Sequence, residues 1–329
     1  MPSRYFAKTL CIMYLLALAV FAKQDFFVQG NQFYDKGKFL DAVKYYRAAI
    51  QDGQMEPYAW FNLGNSLVQL GKNNLAIVAY QRSTELAPKF VRPWVLLGDL
   101  YFIHGDIGRA IAAYNRSRRL GDDSEHVHFA LAECYRKGQD YTLAQREYEA
   151  VLKLNQDRMD CWFSLAEIYE KLQDYPEAIR VLRRALLLTV TAGADVQFYL
   201  AYLQLQQDSI PQAINALEDG LLLNPGNQMA RRHLALLYQQ QNSPWLAIFT
   251  LEQGVIHKSA SEARDIEVDL GQIYFDQKRF GEALDHFINA WKGGSSQGRI
   301  GAENVGNAWF NLGDTLQSQI AYRRVRMKE

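Results

Sequence analysis

The residues of this 329-residue sequence that could do chemistry are its histidines, three cysteines (Cys11 near the N-terminus, Cys134 and Cys161), scattered carboxylates and one glycine-rich loop. His126 and His128 stand two apart, so on a helix they point in different directions and cannot share a metal ion. His128 occupies an apolar position of its helix and is expected to be a packed core residue. His104, His233, His257 and His286 lack the spacing of a zinc site. Gly293-Gly294-Ser295-Ser296-Gln297-Gly298 opens like a phosphate loop, but Arg299 and Ile300 stand where that motif needs Lys and Ser/Thr. Neither Gly-x-Ser-x-Gly nor His-Glu-x-x-His occurs. Glu167 and Glu170 lie on one helix and are expected on a solvated face. Asn115-Arg116-Ser117 is a formal glycosylation sequon set inside a helical pattern and is discounted. These patterns predict no catalytic residue, no metal and no cofactor.

The elements that would position any site repeat along the chain. Leu63-Gly64-Asn65-Ser66-Leu67 returns as Val305-Gly306-Asn307-Ala308-Trp309, and Ala79-Tyr80-Gln81-Arg82 returns as Ala113-Tyr114-Asn115-Arg116 and Ala321-Tyr322-Arg323-Arg324. Apolar residues recur three and four apart, the signature of amphipathic helix, and no stretch alternates as a strand would. Residues 58–70 and 74–87 read as two such helices around a turn at Gly71-Lys72-Asn73. Within this repeat Cys134 and Cys161 fall seven positions out of step, about 10 Å of helix. That separation exceeds the roughly 7 Å reach of a disulfide, so both are expected to be free core residues.

The repeated residues match a known pattern, Trp-x2-Leu-Gly-x2-Tyr…Ala-x3-Phe…Pro. One unit shows Trp60, Leu63, Gly64, Leu67, Ala76, Tyr80 and Pro88; the next shows Trp94, Leu97, Gly98, Tyr101, Ala110 and Tyr114. Others carry Trp162, Leu165, Ala166, Tyr169 and Ala178, or Leu270, Gly271, Tyr274, Ala283 and Phe287. The chain thus resembles the tetratricopeptide repeat (TPR) family over residues 23–329, in about nine units: 23–56, 57–90, 91–124, 125–158, 159–192, 194–227, 228–261, 264–297 and 299–329. The resemblance implies an all-α, right-handed superhelical solenoid of antiparallel helix pairs. Extra residues near Gly193 and Glu262-Ala263 interrupt the spacing, and residues 293–301 are expected to form a glycine-rich turn. The basic end from Arg323 to Lys328 is expected to cap the array.

Composition fits a globular repeat chain, with 49% hydrophobic and 22% charged residues and only 8 Pro. Met1 to Ala22 reads as a signal peptide, with Arg4 and Lys8 before an apolar run that closes on Val20-Phe21-Ala22. The expected mature chain begins at Lys23 and is periplasmic or secreted; an uncleaved leader would instead anchor it in a membrane. Without Arg4 and Lys8 the basic residues fall from 36 to 34 against 36 acidic ones, a net charge of −2, which argues against nucleic-acid binding.

The family resemblance also implies that the first helix of each unit lines a concave groove. The position after the Trp then gives Phe27, Phe61, Val95, Phe129, Phe163 and Phe198. One turn further stand Asn31, Asn65, Asp99, Glu133, Glu167 and Tyr202. Together with Asp160 and Glu170 they describe an aromatic stripe with an acidic middle, expected to hold a peptide or protein bearing basic residues. The carboxylate clamp found in some members is matched only at Asn31 and Asn62: Arg92 replaces one Lys, and Phe27 and Leu96 stand at two other places, so the clamp is expected to be absent. The expected function is an exported protein-interaction scaffold, with an assembly factor of a cell-envelope or secretion complex as its specific form. The alternative is a regulatory subunit of an envelope enzyme, or an enzyme of unrecognised chemistry.

Overall fold

The computed structural model describes residues 25–188, 193–255, 260–291 and 296–326, with side chains described except at 255, 260–263, 296–302 and 323–326. Residues 1–24, which include the segment read above as a signal peptide, and the tail beyond residue 326 lie outside the described residues, as do the basic side chains expected to cap the array. Among the described residues every regular element is a helix. No described helix is long and apolar enough to cross a membrane.

The helices come in tandem pairs, and contacts group them into two compact parts, one up to Asn155 and one from Gln156 onward. The first part holds α1 (Phe26–Asp35) with α2 (Phe39–Gln51), α3 (Glu56–Gln69) with α4 (Asn73–Leu86), α5 (Val91–Ile103) with α6 (Ile107–Arg119), and α7 (Glu125–Lys137) with α8 (Tyr141–Leu154). The second holds α9 (Met159–Lys171) with α10 (Tyr175–Leu186), α11 (Gly193–Leu205) with α12 (Ile210–Leu223), α13 (Gln228–Gln240) with α14 (Pro244–Val255), α15 (Ala260–Asp276) with α16 (Phe280–Trp291), and α17 (Ser296–Asn311) with α18 (Thr315–Arg326). One expectation is corrected here. Helix α17 already begins at Ser296, so the part of the expected turn from Ser296 to Gly301 is helix, with Gln297, Gly298 and Arg299 inside its first turn.

Each pair turns through one residue in the left-handed region: Gly37, Gly71, Gly105, Gln139, Gln173, Asp208, Asn242, Lys278 and Gly313. The following N–H reaches back to a carbonyl near the end of the first helix, as in Asp106 to Tyr101 (2.9 Å), Asp140 to Tyr135 (2.9 Å) and Asp174 to Tyr169 (2.8 Å). These aspartates then cap the second helix, accepting from the backbone N–H of Arg109, Leu143 and Glu177. Two residues therefore stop one helix and start the next.

The seam of each pair is a close approach. Ala42, Ala76, Ala110, Ala144, Ala178, Ala213, Ala247 and Ala283 on the second helices are fully buried. On the first helices, Gly30, Gly64, Gly98, Gly271 and Gly306 lie flat against the rings of Tyr46, Tyr80, Tyr114, Phe287 and Tyr322. A β-carbon at Gly98 would fall 2.5 Å from Tyr114 Cε1, well inside contact distance. The sixth pair reverses the device: Gly220 on the second helix receives Phe198 from the first.

Where the first helix carries Trp at the pattern position (Trp60, Trp94, Trp162), the residue nineteen further is small or branched: Ala79, Ala113 and Val181. At three of the four polar cases a partner stands at the same offset; Gln197 stands opposite Ala216 in register and donates to Asp219 at 3.2 Å instead. His128 Nδ1 lies 2.6 Å from Glu147, Glu267 accepts from His286 Nδ1 at 2.7 Å, and Arg231 donates to the carbonyl of Thr250 at 3.3 Å. His128 is indeed buried, and its Nε2 also contacts Asp123 at 2.8 Å. Cys134 and Cys161 are buried and unbridged, and burial pushes the Cys134 thiol up to about 12.

Gly98→Ala is expected to lower the free energy of unfolding by about 1–2 kcal/mol, read as a lower urea midpoint, because overpacking at Tyr114 outweighs the gain in helix propensity. Gly108→Ala on α6, where a β-carbon meets nothing within 4 Å, is expected to leave the midpoint unchanged or slightly higher. Equal effects in the two variants would refute the close-approach account.

Candidate functional site

In the first part of the chain the first helices carry a polar row, one residue at the same place in each pair. A tyrosine from the second helix orients each of the four, Asn31, Asn65, Asp99 and Glu133. The hydroxyl of Tyr46 donates to Asn31 (2.8 Å), that of Tyr80 to Asn65 (2.8 Å) and that of Tyr114 to Asp99 (2.7 Å), each across fifteen residues. Tyr148 donates to Glu133 and Tyr322 to Asn307 in the same register. Burial raises the phenols of Tyr46, Tyr80 and Tyr114 above their ordinary range, so they remain donors at any physiological pH. The row is thus fixed from below: the ring that fills the glycine seam also holds the acceptor one residue along the first helix.

Neighbouring pairs are tied through the same row. Asn62 donates to Asn31 at 2.9 Å, and His126 Nε2 lies 2.9 Å from Asp99. Asn31, Tyr34, Asp35, Tyr46, Asn62 and Asn65 line a polar recess of about 310 Å3. Asp35 in that recess opposes a bound carboxylate, which is consistent with a missing clamp.

The acidic middle carries internal partners that the sequence reading passed over. Arg136 grips Glu133 with two hydrogen bonds, of 3.2 and 2.8 Å. Burial alone would raise the Glu133 carboxyl, but the bonds from Arg136 and Tyr148 outweigh it and hold it below the usual range. Arg158 pairs Asp160 at 2.6 Å, again lowering the carboxyl. The solvated face expected for Glu167 and Glu170 is corrected: both are half-buried. Glu170 accepts from Tyr199 at 2.5 Å and Tyr202 at 2.9 Å, which joins the fifth and sixth pairs.

The aromatic positions are partly covered by neighbouring rings. Phe61 is only 8% exposed and packs on Tyr80 and Phe90, with ring centroids 5.9 and 5.0 Å away. Phe27, Phe129, Phe163 and Phe198 are half-buried. Phe27 lies 6.0 Å from Tyr46, Phe129 lies 6.2 Å edge-on from Tyr148, and Phe163 stacks on Tyr199 at 6.4 Å. Tyr202 is exposed. Asn31, Asn65, Asp99, Glu133 and Glu167 are all half-buried, so each keeps an edge toward solvent. Tyr199 and Arg136 are the functional neighbours missed in the sequence. The fifteen-residue spacing between tyrosine and acceptor was the available signal for the row, whereas Tyr199 reaches Glu170 from the next pair and has no such spacing.

Comparison with known proteins gives this fold its class. A tetratricopeptide repeat family model matches residues 27–89 and 62–125, and the model of anaphase-promoting complex, cyclosome, subunit 3 matches residues 103–185. With the same pair repeated to residue 326, the chain is a tetratricopeptide repeat protein. No curated protein matches the sequence. Among solved structures, a chain of the Naa15/Naa10 assembly bound to HypK-THB aligns with TM-score 0.54 at 13% identity, over 89% of this chain and 50% of that one. YrrB, described as a TPR protein with an unusual peptide-binding site, gives TM-score 0.44 at 18% identity over 61% of this chain and 98% of its own. A tetratricopeptide repeat protein from Parabacteroides merdae gives 0.44 at 17% identity, over 86% of this chain and 97% of its own.

The row makes a titration prediction. The hydrogen bond that His126 donates to Asp99 raises the His126 pKa above 6.5, against a smaller opposing effect of burial. Its stabilising contribution is complete below the unfolded value and is lost as pH rises through the folded one. Imidazole NMR should place the His126 midpoint above 6.5, and Asp99→Asn should return it to the ordinary range. A midpoint insensitive to that substitution would show that the contact does not persist in solution.

Proposed function

We propose that this chain is an exported, non-catalytic protein-interaction scaffold whose first helices hold a peptide or protein partner, and that it serves assembly of a cell-envelope or secretion complex. One observation carries the reading: acceptors at the same place in successive pairs, each pinned by a buried tyrosine. Pre-oriented acceptors cost little ordering entropy when a partner arrives. Half-buried aromatic edges one turn away supply apolar contact area beside them. The tyrosine bond needs only an oxygen, since Asn serves at 31, 65 and 307; the charge at Asp99 and Glu133 is surplus to that task. A partner with Lys or Arg there would compete with His126 and Arg136 for those carboxylates. At Glu170 only tyrosine hydroxyls are in contact among the described residues, which favours a basic group at that place. Export rests on the sequence of the leader.

The isosteric changes Asp99→Asn and Glu133→Gln keep the tyrosine bonds. With the partner isolated by crosslinking in the native envelope, the pair of changes is expected to weaken binding about 3–10-fold while helicity and melting stay unchanged. Unaltered affinity would remove the first-helix row from the site. For export, the intact mass of secreted or periplasmic material is expected to begin at Lys23; a full-length species released only by detergent would establish an anchor instead.

A further inference from the structure

The second part of the chain carries an apolar cleft on its second helices, remote in kind from the polar row. Helices α2, α4, α6, α8 and α10 each bear at least one Lys or Arg, whereas α12, α14 and α16 bear none. Between α12, α13 and α14 lies a cleft of about 600 Å3. Leu221, Leu234, Tyr238 and Leu246 line it together with Leu222 and Phe249. Leu222 is 80% exposed and Phe249 is 56% exposed; Trp245, one turn before Phe249, is 68% exposed. Single exposed apolar residues are ordinary, but three large ones around one cleft mark an interaction surface.

The charges specify the occupant. Arg231, the one cation among the lining residues, is buried, with its guanidinium donating to the carbonyls of Thr250 and Pro225. The outward charges are all negative: Glu218 and Asp219 line the cleft, and Glu252 is exposed one turn beyond Phe249. We infer that this cleft docks an amphipathic helical segment of a partner protein, with large apolar side chains on one face and Lys or Arg along its flanks. Two helices bounding an apolar channel accept a third by laying its apolar ridge between them, and the acidic rim sets which charges the incoming helix carries. The site is formed by α12 and α14 with the first helix α13 between them, and shares no residue with the first-helix row.

The test uses the full chain and a fluorescein-labelled eighteen-residue helical peptide with Leu and Phe on one face and Lys elsewhere. Two controls share its length: one has Glu in place of Lys, the other has the same composition scrambled to remove the apolar face. Anisotropy is expected to show binding of the Leu/Lys helix at least about 10-fold tighter than either control. Leu222→Asp with Phe249→Asp, both on exposed side chains, is expected to abolish that binding with melting unchanged. Asp219→Lys with Glu252→Lys is expected to reverse the preference toward the Glu peptide. Equal binding of the scrambled peptide, or survival in the Leu222/Phe249 variant, overturns the proposal. So does self-association by sedimentation that the same variant abolishes, since the occupant would then be a second copy of this chain. Asp99→Asn with Glu133→Gln must leave probe binding intact; if they remove it, the probe occupies the first-helix row, and the cleft proposal fails while that of the row stands.

Discussion

A ring laid flat on a glycine is the contact on which this molecule depends. With no β-carbon at Gly30, Gly64 or Gly98, the two helices of a pair approach closely enough for a tyrosine ring to lie against the first-helix backbone. The same ring, fully buried, has one polar atom to satisfy, and it finds an acceptor one residue beyond the glycine. Packing and polarity are therefore set by one side chain. Loss of the glycine would displace the ring, and the displaced ring would release the acceptor.

The polar exceptions obey the same economy of space. Trp60, Trp94 and Trp162 stand opposite small or branched residues, as volume complementarity requires. His128 and Arg231 fill the corresponding position with a buried polar group and Glu267 with a half-buried one, and each has a bonded partner at the same offset. His128 with Glu147 and Glu267 with His286 are one pair written in opposite orders. A buried group of either kind left alone would be costly, so in these three pairs each polar residue is matched by the other.

Periodicity made the fold legible. Apolar residues three and four apart, Gly71 and Gly105 at turns and Ala at the seam identify helix pairs without reference to tertiary structure. The left-handed turns at Gln139, Gln173, Asp208, Asn242 and Lys278 carry no such mark, because these residue types adopt many conformations and only the chain's reversal selects this one. The row of acceptors was readable as a register of Asn31, Asn65, Asp99 and Glu133. Its internal partners were not: whether Glu133 faces a ligand or Arg136 depends on rotamers, and a carboxylate three residues before an arginine looks the same in either case. Phe61 illustrates the converse, since Phe90 covers its ring from the loop between pairs.

The links from one pair to the next differ in chemistry, although the pairs themselves are alike. Asn62 meets Asn31, His126 meets Asp99, Arg118 meets Glu147, Tyr199 meets Glu170, and Arg232 meets Asp265 and Asp269. A chain of similar modules can in principle fold out of step, with one unit skipped and its neighbours docked on the wrong mates. Hydrophobic seams hardly resist this, because every seam is nearly the same. Mismatched links do resist it: a skipped unit would strand an arginine against an amide or leave a carboxylate facing another. The individuality of these contacts gives a repetitive polymer an address at each junction, and so a single order of assembly.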